Sequence, residues 1–462
     1  MYLYICSSNP TKMHIHFIAI GGSAMHNLAI ALKEKGEKVT GSDDEIFEPS
    51  RSRLNAHDIL PAEMGWHPEK ISNDIDMIIL GMHAKADNPE LIKAQQLGLK
   101  IMSYPEFLYE HSKRKTRVVI AGSHGKTTIT SMVLHVLDYH DKPTDFMVGA
   151  QLEGFDNMVY LTDENDFILL EGDEYLSSAL DKQPKFLWYQ PNIALISGIA
   201  WDHVNVFPDF ETYKYQFELF VDSMTNGSTL VYNEEDEVLK DIALNAKKPT
   251  RKHAYSTPEH QIEDGETYLE TNEGPMPIEV FGKHNLQNIA GAKWICQHMG
   301  VDEDDFYEAI ASFKGASKRL EKVTESSKCI VFKDYAHSPS KVKATTEAVK
   351  AQFPDKKLLV CFELHTYSSL TASFLKEYQN TLDKADEVVI FYSKKALEIK
   401  QMPELTKSQI QESFNRKDVD VFTNADDFQS FLKAKHFDNH VLLLMSSGNY
   451  GGLNFEELKE WV

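Results

Sequence analysis

A short apolar run, Arg117 to Ala121, breaks at Gly122, passes through Ser123, His124 and Gly125, and enters a helical pattern that opens with Lys126, Thr127 and Thr128. Few backbones satisfy that stretch. A buried strand must deliver a turn of small residues whose N–H groups converge on an anion, and the following helix adds its positive end, so the segment reads as a phosphate-gripping loop. Lys126 can reach the β- and γ-phosphates and the Thr127 hydroxyl can hold Mg²⁺, which makes ATP the expected ligand. The match is to G-x-x-G-K-T; the longer G-x-x-x-x-G-K-T would place its first glycine where this chain has Ile120. A strand, a GKT and a helix also arise by coincidence, with Lys126 then a solvated lysine at a helix start, so the rest of the chain has to decide.

The chain has 462 residues, 42% of them hydrophobic and 11% aromatic, enough for packed cores. That length suggests roughly three domains. Acidic residues exceed basic ones by 22, which argues against nucleic acid held by its phosphates and against an anionic membrane surface. Four scattered cysteines, Cys6, Cys296, Cys329 and Cys361, have no metal-like spacing and read as reduced thiols, so a cytoplasmic location is expected. No apolar run approaches the length of a membrane span, and Met1 to Lys12 lacks the form of a signal peptide. Because Met13 directly precedes the first good strand, residues 1–12 are expected to be an N-terminal extension.

Residues 13–115 open as a Rossmann-like unit: strand His14 to Ile20, the turn Gly21-Gly22-Ser23-Ala24, and a helical pattern from Met25 to Lys35. The next strand delivers Ser42 and Asp43, and Asp43 stands where a ribose-binding acid follows a glycine turn. The turn is a degraded G-x-G-x-x-G, so it serves either a nucleotide or only close helix–strand packing. Asp76 to Gly81 is a buried strand with His83 just past its carboxyl end, helices are expected at Pro89–Leu97 and Tyr104–Glu110, and Lys113-Arg114-Lys115 reads as an exposed linker. In residues 116–318, the strand Phe167 to Leu170 ends in Glu171-Gly172-Asp173-Glu174. Glu171 suits Mg²⁺ beside Thr127, although three close acids also make a solvated loop. Ile193 to Ser197 is followed by Asp202 and His203 on the same sheet edge. Arg251 to Val280 suggests a small β extension with a turn at Asn272-Glu273-Gly274. Asn285 and Asn288 lie one turn apart on a helix running to Met299, facing a purine or phosphate chain, or serving as a cap and an exposed position. Residues 319–462 alternate strand and helix as a second parallel sheet, with helices at Ser340–Gln352, Leu370–Leu382 and Ala425–Ala434. Its first strand ends in Asp334-Tyr335-Ala336-His337, and its last in the glycine-rich SSGNYGG. The expected fold is α/β in three domains: N-terminal Rossmann-like, central P-loop ATPase-type, and C-terminal Rossmann-like.

Taken in order, IGGSAM, GSHGKTT, EGDEY, WDHVNVF, GKHNLQN, KRLE at Lys318 to Glu321 and DYAHSP resemble the Mur ligase family, the ATP-dependent amide-forming enzymes of peptidoglycan synthesis. The resemblance runs from about Met13 to the C-terminus. It implies ATP and Mg²⁺, with the metal on Thr127, Glu171 and His203. It implies ATP contacts from Gly122, Ser123, His124, Gly125, Lys126, Thr127, Thr128, Asn285, Asn288, Arg319 and Asp334, and a uridine-nucleotide side made by Gly21, Gly22, Ser42, Asp43 and His83. In the family reaction a carboxylate takes the γ-phosphoryl group of ATP and an amine displaces the phosphate. The amine must be neutral to attack, and His337 is the candidate base by residue type and by its place at a strand end. Ligands divided between domains imply that the last domain closes on the ATP.

IGGSAM and His124 are similar to the branch whose acceptor is UDP-N-acetylmuramate. Its amine is either L-alanine, in biosynthesis, or the murein tripeptide L-alanyl-γ-D-glutamyl-meso-diaminopimelate, in recycling. VTGSDDEIFEPS, KFLWYQPNIALISGIAWDHVNVFPDF and MSSGNYGG look more like the tripeptide enzyme, which makes the tripeptide the expected amine and L-alanine the alternative. Three departures stand out: CFELHTYSS, Ser338 where a second His is common, and Gly172 where Ala is common. The first two fall on the amine side. A nicotinamide-dependent oxidoreductase built on the first unit is opposed by its degraded glycine turn. A non-catalytic nucleotide sensor is opposed by the joint presence of Lys126, Thr127, Glu171 and His203.

Overall fold

The structure is a computed structural model that describes residues 12–149, 151–152, 155–178, 180–201, 206–316 and 319–462. Cys6, His203 and all of the expected N-terminal extension except Lys12 lie outside the described residues.

The first sheet has four parallel strands in the order Lys38–Ser42, His14–Ile18, Met77–Leu80 and Lys100–Ser103. Helices cover both faces, which is why its central strands read as unbroken apolar runs rather than alternating ones. Ile15, Phe17, Ile78 and Ile79 have no exposed surface. The strand Lys100–Ser103 and the helix Ser50–Ala56 were not legible in the sequence: the helix buries only Ser50 and Leu54, so it carries no apolar stripe. The expected exposed linker is corrected at Lys115. Its ammonium is buried, 3.0 Å from Asp145 Oδ2, and donates to the Asn165 carbonyl at 2.6 Å.

The central sheet has seven strands in the order Arg251–Tyr255, Thr229–Asn233, Ile193–Ile196, Thr116–Ala121, Phe167–Glu171, Asp145–Met147 and Val159–Tyr160, parallel except for the last pair. The first strand of this unit in sequence therefore lies at its middle. Its two neighbours are the strands that end at Ile196 and Glu171, so three carboxyl ends stand side by side. Open parallel sheets gather ligands at that edge. The β extension divides in two: Arg251–Tyr255 joins the central sheet, and His260–Glu263, Glu266–Thr271 and Gly274–Ile278 form a separate antiparallel sheet. Thr271 pairs with Gly274, leaving Asn272-Glu273 as the hairpin loop.

The last sheet has six strands in the order Glu321–Glu325, Cys329–Asp334, His440–Met445, Lys357–Glu363, Glu387–Phe391 and Val419–Phe422, all parallel except the first. The helix expected over Leu370–Leu382 is instead broken into Tyr367–Leu370, Ala372–Leu375 and a tight turn at Lys376–Tyr378. Leu370, Leu375, Tyr378 and Leu382 are all buried, so the apolar spacing was real. Hydroxyl groups compete for its backbone: Thr366 Oγ1 accepts from the Ser369 N–H at 3.1 Å, and Thr371 turns extended and bonds the Tyr367 carbonyl at 3.0 Å. No helix among the described residues is long and apolar enough to cross a membrane.

The last two domains touch across polar and close-packed contacts. Thr267 Oγ1 donates to Gln352 Oε1 at 2.9 Å, and Gln352 Nε2 donates to the Gly265 carbonyl at 2.7 Å. Gly282, with φ +89°, precedes the helix Lys283–His298, and a Cβ there would lie 2.4 Å from the Ala348 Cβ on the helix Pro339–Gln352. Gly300, with φ +84°, has open space around it. Gly300→Ala is therefore expected to cost only the left-handed penalty, about 1–2 kcal/mol, whereas Gly282→Ala adds the steric clash and separates the two helices. Hydrogen exchange checks this: Gly282→Ala should raise exchange in both helices, and Gly300→Ala should leave Pro339–Gln352 unchanged.

Candidate active site

The strand Thr116–Ala121 ends at Gly122, whose φ is +127° and whose added Cβ would fall 2.2 Å from Ser197 Oγ. Gly125, φ +76°, starts the helix Lys126–Tyr139, and a Cβ there would lie 2.4 Å from Asn288 Oδ1. Both positions exclude side chains by conformation and by crowding. The residues between them are fixed from outside the loop. The Ser123 N–H donates to the Gly198 carbonyl at 2.9 Å, and Ser123 Oγ accepts from the Ala200 N–H at 2.9 Å and bonds Tyr213 OH at 2.9 Å. His124 Nε2 bonds Ser340 Oγ at 2.6 Å, a direct link from the loop to the last domain.

Lys126 Nζ donates to the Gly122 carbonyl at 2.8 Å and to Glu174 Oε2 at 3.2 Å. Burial opposes its charge, but Glu174, Asp173 and Glu171 outweigh that and hold its pKa above the ordinary lysine value. Thr127 Oγ1 donates to Glu171 Oε1 at 2.7 Å, and Glu171 Oε2 accepts from the Gly149 N–H at 2.8 Å. Burial, with Asp173 next in importance, pushes the Glu171 carboxyl above its usual range. Such a group gains from a cation arriving beside it. Two oxygens of hard-ligand type, side by side at the start of the loop helix, fit Mg²⁺, which on a nucleotide takes one or two carboxylates and otherwise water. Among the described residues no group of three His, Cys, Asp or Glu side chains comes together as a metal cage.

A cavity of about 320 Å³ opens beside the loop. Ser123, His124, Gly125, Lys126, Thr127 and Thr128 form one wall, Asn285 and Asn288 a second, and Arg319 and Asp334 from the last domain a third. Ten of the sequence-predicted ATP residues thus share one cavity. Asn285 and Asn288 are buried, not exposed: Asn285 Nδ2 donates to the Phe281 carbonyl at 2.9 Å, and Asn288 Nδ2 reaches Asn285 Oδ1 at 3.5 Å. Asp334 accepts from the Leu320 and Ala336 N–H groups at 2.5 and 2.6 Å; burial raises its pKa against the pull of Arg319. The Arg319 guanidinium stands 5.1 Å over the Tyr335 ring. His337 is not part of the cavity wall; its Nδ1 bonds the Tyr335 carbonyl at 2.8 Å.

On the first sheet, Gly21, Gly22, Ser42 and Asp43 gather at one carboxyl edge. The Gly21 N–H donates to Asp43 Oδ2 at 2.7 Å, and burial, relieved in part by that bond, lifts the Asp43 carboxyl to about 6. Here the acid already braces the glycine turn, so packing and a nucleotide would share it. His83 is exposed on the same edge, beyond the strand Met77–Leu80.

Sequence reasoning missed two contributors. Tyr213, from the helix Phe210–Ser223, is fully buried and joins Ser123 to Glu174, its hydroxyl donating to Glu174 Oε1 at 3.0 Å. Its only signal was an apolar position on a helix. His284, in the first turn of the helix Lys283–His298, lies on the cavity wall, and its Nδ1 is buried without a partner among the described residues.

Three family profiles match the chain in order: "Mur ligase family, catalytic domain" over residues 14–116, "Mur ligase middle domain" over 120–296, and "Mur ligase, glutamate ligase domain" over 318–448. A UDP-N-acetylmuramate–L-alanine ligase of Sulfurihydrogenibium sp. is 31% identical over 446 residues, covering 94% of this chain and 95% of the relative. Among solved structures, the UDP-N-acetylmuramate–alanine ligase of Thermotoga maritima superposes with a TM-score of 0.68 at 21% identity, over 97% of each chain. The UDP-N-acetylmuramate:L-alanyl-γ-D-glutamyl-meso-diaminopimelate ligase of Neisseria meningitides gives 0.59 at 27% identity, over 66% of this chain and 98% of that one.

Burial alone holds the His284 imidazole down at about 4, against an ordinary 6.5. Its folded pKa lies below its unfolded one, so the unfolded chain binds the extra proton between those values. The stability that depends on neutral His284 is whole above pH 6.5 and is lost as pH falls towards 4. Urea midpoints measured across that window should fall with acid, and less steeply in His284→Asn.

Proposed function

The chain belongs to the Mur ligase family and is an ATP-dependent, ADP-forming ligase; on that premise we propose that it joins L-alanine to the lactyl carboxylate of UDP-N-acetylmuramate through an acyl phosphate. The observation that carries the reading is the single cavity in which a phosphate loop, two buried asparagines and two residues of the last domain meet. The difficulty of the reaction is to bring a carboxylate onto a triphosphate. Lys126 and Arg319 would supply positive charge from opposite walls, and the loop N–H groups would hold the phosphates in line. Mg²⁺ held by Thr127 and Glu171, with His203 as the further ligand implied by the family resemblance, would neutralise charge that develops on the phosphoryl oxygens. Closure of the last domain, through His124 and Ser340, would keep water from the acyl phosphate. For the second half-reaction His337 is the proposed base. A carbonyl only accepts, so its Nδ1 carries the proton towards Tyr335 and Nε2 is the nitrogen that would take a proton from the amine. Gly21, Gly22, Ser42, Asp43 and His83 would hold the uridine nucleotide.

The amine is the point on which sequence motifs and relatives diverge. The motifs lean towards the tripeptide; the Sulfurihydrogenibium relative, 31% identical and matched over 95% of its length, is an L-alanine ligase, and it supports L-alanine as the first reading. The tripeptide stands as the second, favoured by the 27% identity to the Neisseria enzyme and by the SSGNYGG terminus.

Two outcomes are expected. Purified protein with Mg²⁺, ATP and UDP-N-acetylmuramate should release phosphate with L-alanine and yield a product heavier by one alanyl residue. Turnover with the tripeptide alone would replace the first reading by the second, and silence with both would sink the acceptor assignment. Arg319→Ala should raise KM for ATP and lower kcat, by roughly ten- to a hundredfold in kcat/KM, the worth of a charge-assisted contact; unchanged kinetics would remove Arg319 from the ATP site.

A further inference from the structure

Three carboxylates and two ammonium groups crowd the end of the strand Phe167–Glu171. Lys126 Nζ lies 3.2 Å from Glu174 Oε2 and 4.0 Å from Asp173 Oδ1. Lys185 Nζ lies 3.5 Å from Asp173 Oδ2, on a side chain only 11% exposed. Its ammonium stands 5.3 Å over the ring of Tyr104 and 5.6 Å over that of Tyr175, and its own N–H is fixed by the Tyr175 carbonyl at 2.7 Å. Tyr104 begins the helix that follows the first sheet, so Lys185 is clamped where the first and central domains meet. Neither Lys185 nor Asp173 is part of the cavity wall.

Every carboxylate near Lys126 competes with phosphate for the same ammonium. Glu174 shares its charge with the Tyr213 hydroxyl, whereas Asp173 lies between two lysines and nearer to Lys185. A half-buried carboxylate stripped of its partner turns to the next cation within reach. For Asp173 that cation is Lys126.

We propose that Lys185 is a positioning residue that holds Asp173 off Lys126 and so sets how tightly the phosphate loop binds nucleotide. The proposal rests on the reading of that loop as the ATP site. It makes the acidic run a balanced set: Glu171 goes to Thr127 and the metal, Glu174 steadies Lys126, and Asp173 is occupied by a second lysine that never touches ATP. Without Lys185, Asp173 would close on Lys126 and the phosphates would have to displace two carboxylates instead of one.

The test is ADP binding in the presence of Mg²⁺ by calorimetry on the full chain, beside KM and kcat for ATP. Lys185→Met is expected to weaken ADP binding and raise KM for ATP about tenfold while kcat changes less than about threefold, and Lys185→Arg should keep most of the affinity. Adding Asp173→Asn to Lys185→Met should bring ADP binding back to within about twofold of wild type, because the competing carboxylate is gone. Wild-type affinity in folded Lys185→Met, or a loss that Asp173→Asn does not relieve, overturns the proposal; the second result would make Lys185 a packing residue. Should Lys185→Met fail to fold, Lys185→Gln keeps the length of the side chain and is held to the same two comparisons. A wild-type protein that binds no ADP would instead sink the nucleotide site itself, whatever Lys185 does.

Discussion

Two backbones at the middle of the central sheet approach each other more closely than a methyl group allows. The Gly122 Cα faces Ser197 at a distance that leaves no room for a Cβ, and the Ser197 N–H bonds the Ala121 carbonyl at 3.1 Å. That approach follows from the strand order: Thr116–Ala121 lies between its two parallel neighbours, in register with Ile193–Ile196 on one side and Phe167–Glu171 on the other. Once the three strands end at one level, the loop must turn at Gly122, the acid segment must emerge beside it, and Lys126 must start its helix within reach of Glu174. Glycine is the one residue that meets both the positive φ and the missing space.

The charge arrangement is a consequence of that geometry. A cation buried beside carboxylates in a medium of low dielectric is stable only while the balance of charge is kept. Lys126 is such a cation, held by Glu174 and the Gly122 carbonyl. A site that took up a triphosphate and a metal would have to exchange those partners without leaving an unpaired charge behind. Glu171 answers to the Thr127 hydroxyl and the Gly149 N–H, and a metal placed there would take over part of that carboxylate's bonding.

Much of this was legible in the sequence because the relevant elements are buried on both faces and their residues leave little freedom. FILL, IALI and VVIA read as parallel strands, and the glycines of GSHGKT mark turns that no other residue makes. Context supplied the rest: Asn285 and Asn288 were undecidable as letters, and only the fold shows that both are buried, Asn288 against Gly125. Tyr213 was invisible because a buried tyrosine on an amphipathic helix looks like core until its hydroxyl is seen between Ser123 and Glu174. The Leu370–Leu382 segment failed in the opposite sense. Its apolar spacing fits a helix, and hydroxyl-to-backbone bonds at Thr366 and Thr371 override it, a tertiary and local competition that periodicity does not register. Lys115 was misjudged because its partner, Asp145, lies on a strand distant in sequence.

The cavity is divided between domains, and this division has an energetic meaning. A nucleotide touching the loop alone would bind equally well whether the last domain is near or far, and would shift nothing. One that also touches Arg319 and Asp334 binds the closed arrangement better, by whatever those contacts contribute. The protein has contacts of its own that favour the same arrangement: His124 to Ser340, Gln352 to Thr267 and Gly265, and the tight seat of Ala348 against Gly282. Phe281 of the central domain also packs on Phe332 and Phe353 of the last, with ring centroids 5.4 and 6.0 Å apart, whereas the polar contacts are individually worth little net free energy in water. The closed arrangement is therefore held by one apolar anchor and a few polar contacts, to which a nucleotide reaching Arg319 would add a charge-assisted one. Occupancy of the phosphate loop and closure of the last domain would then be one linked equilibrium, with His124, bonded to Ser340, belonging to both.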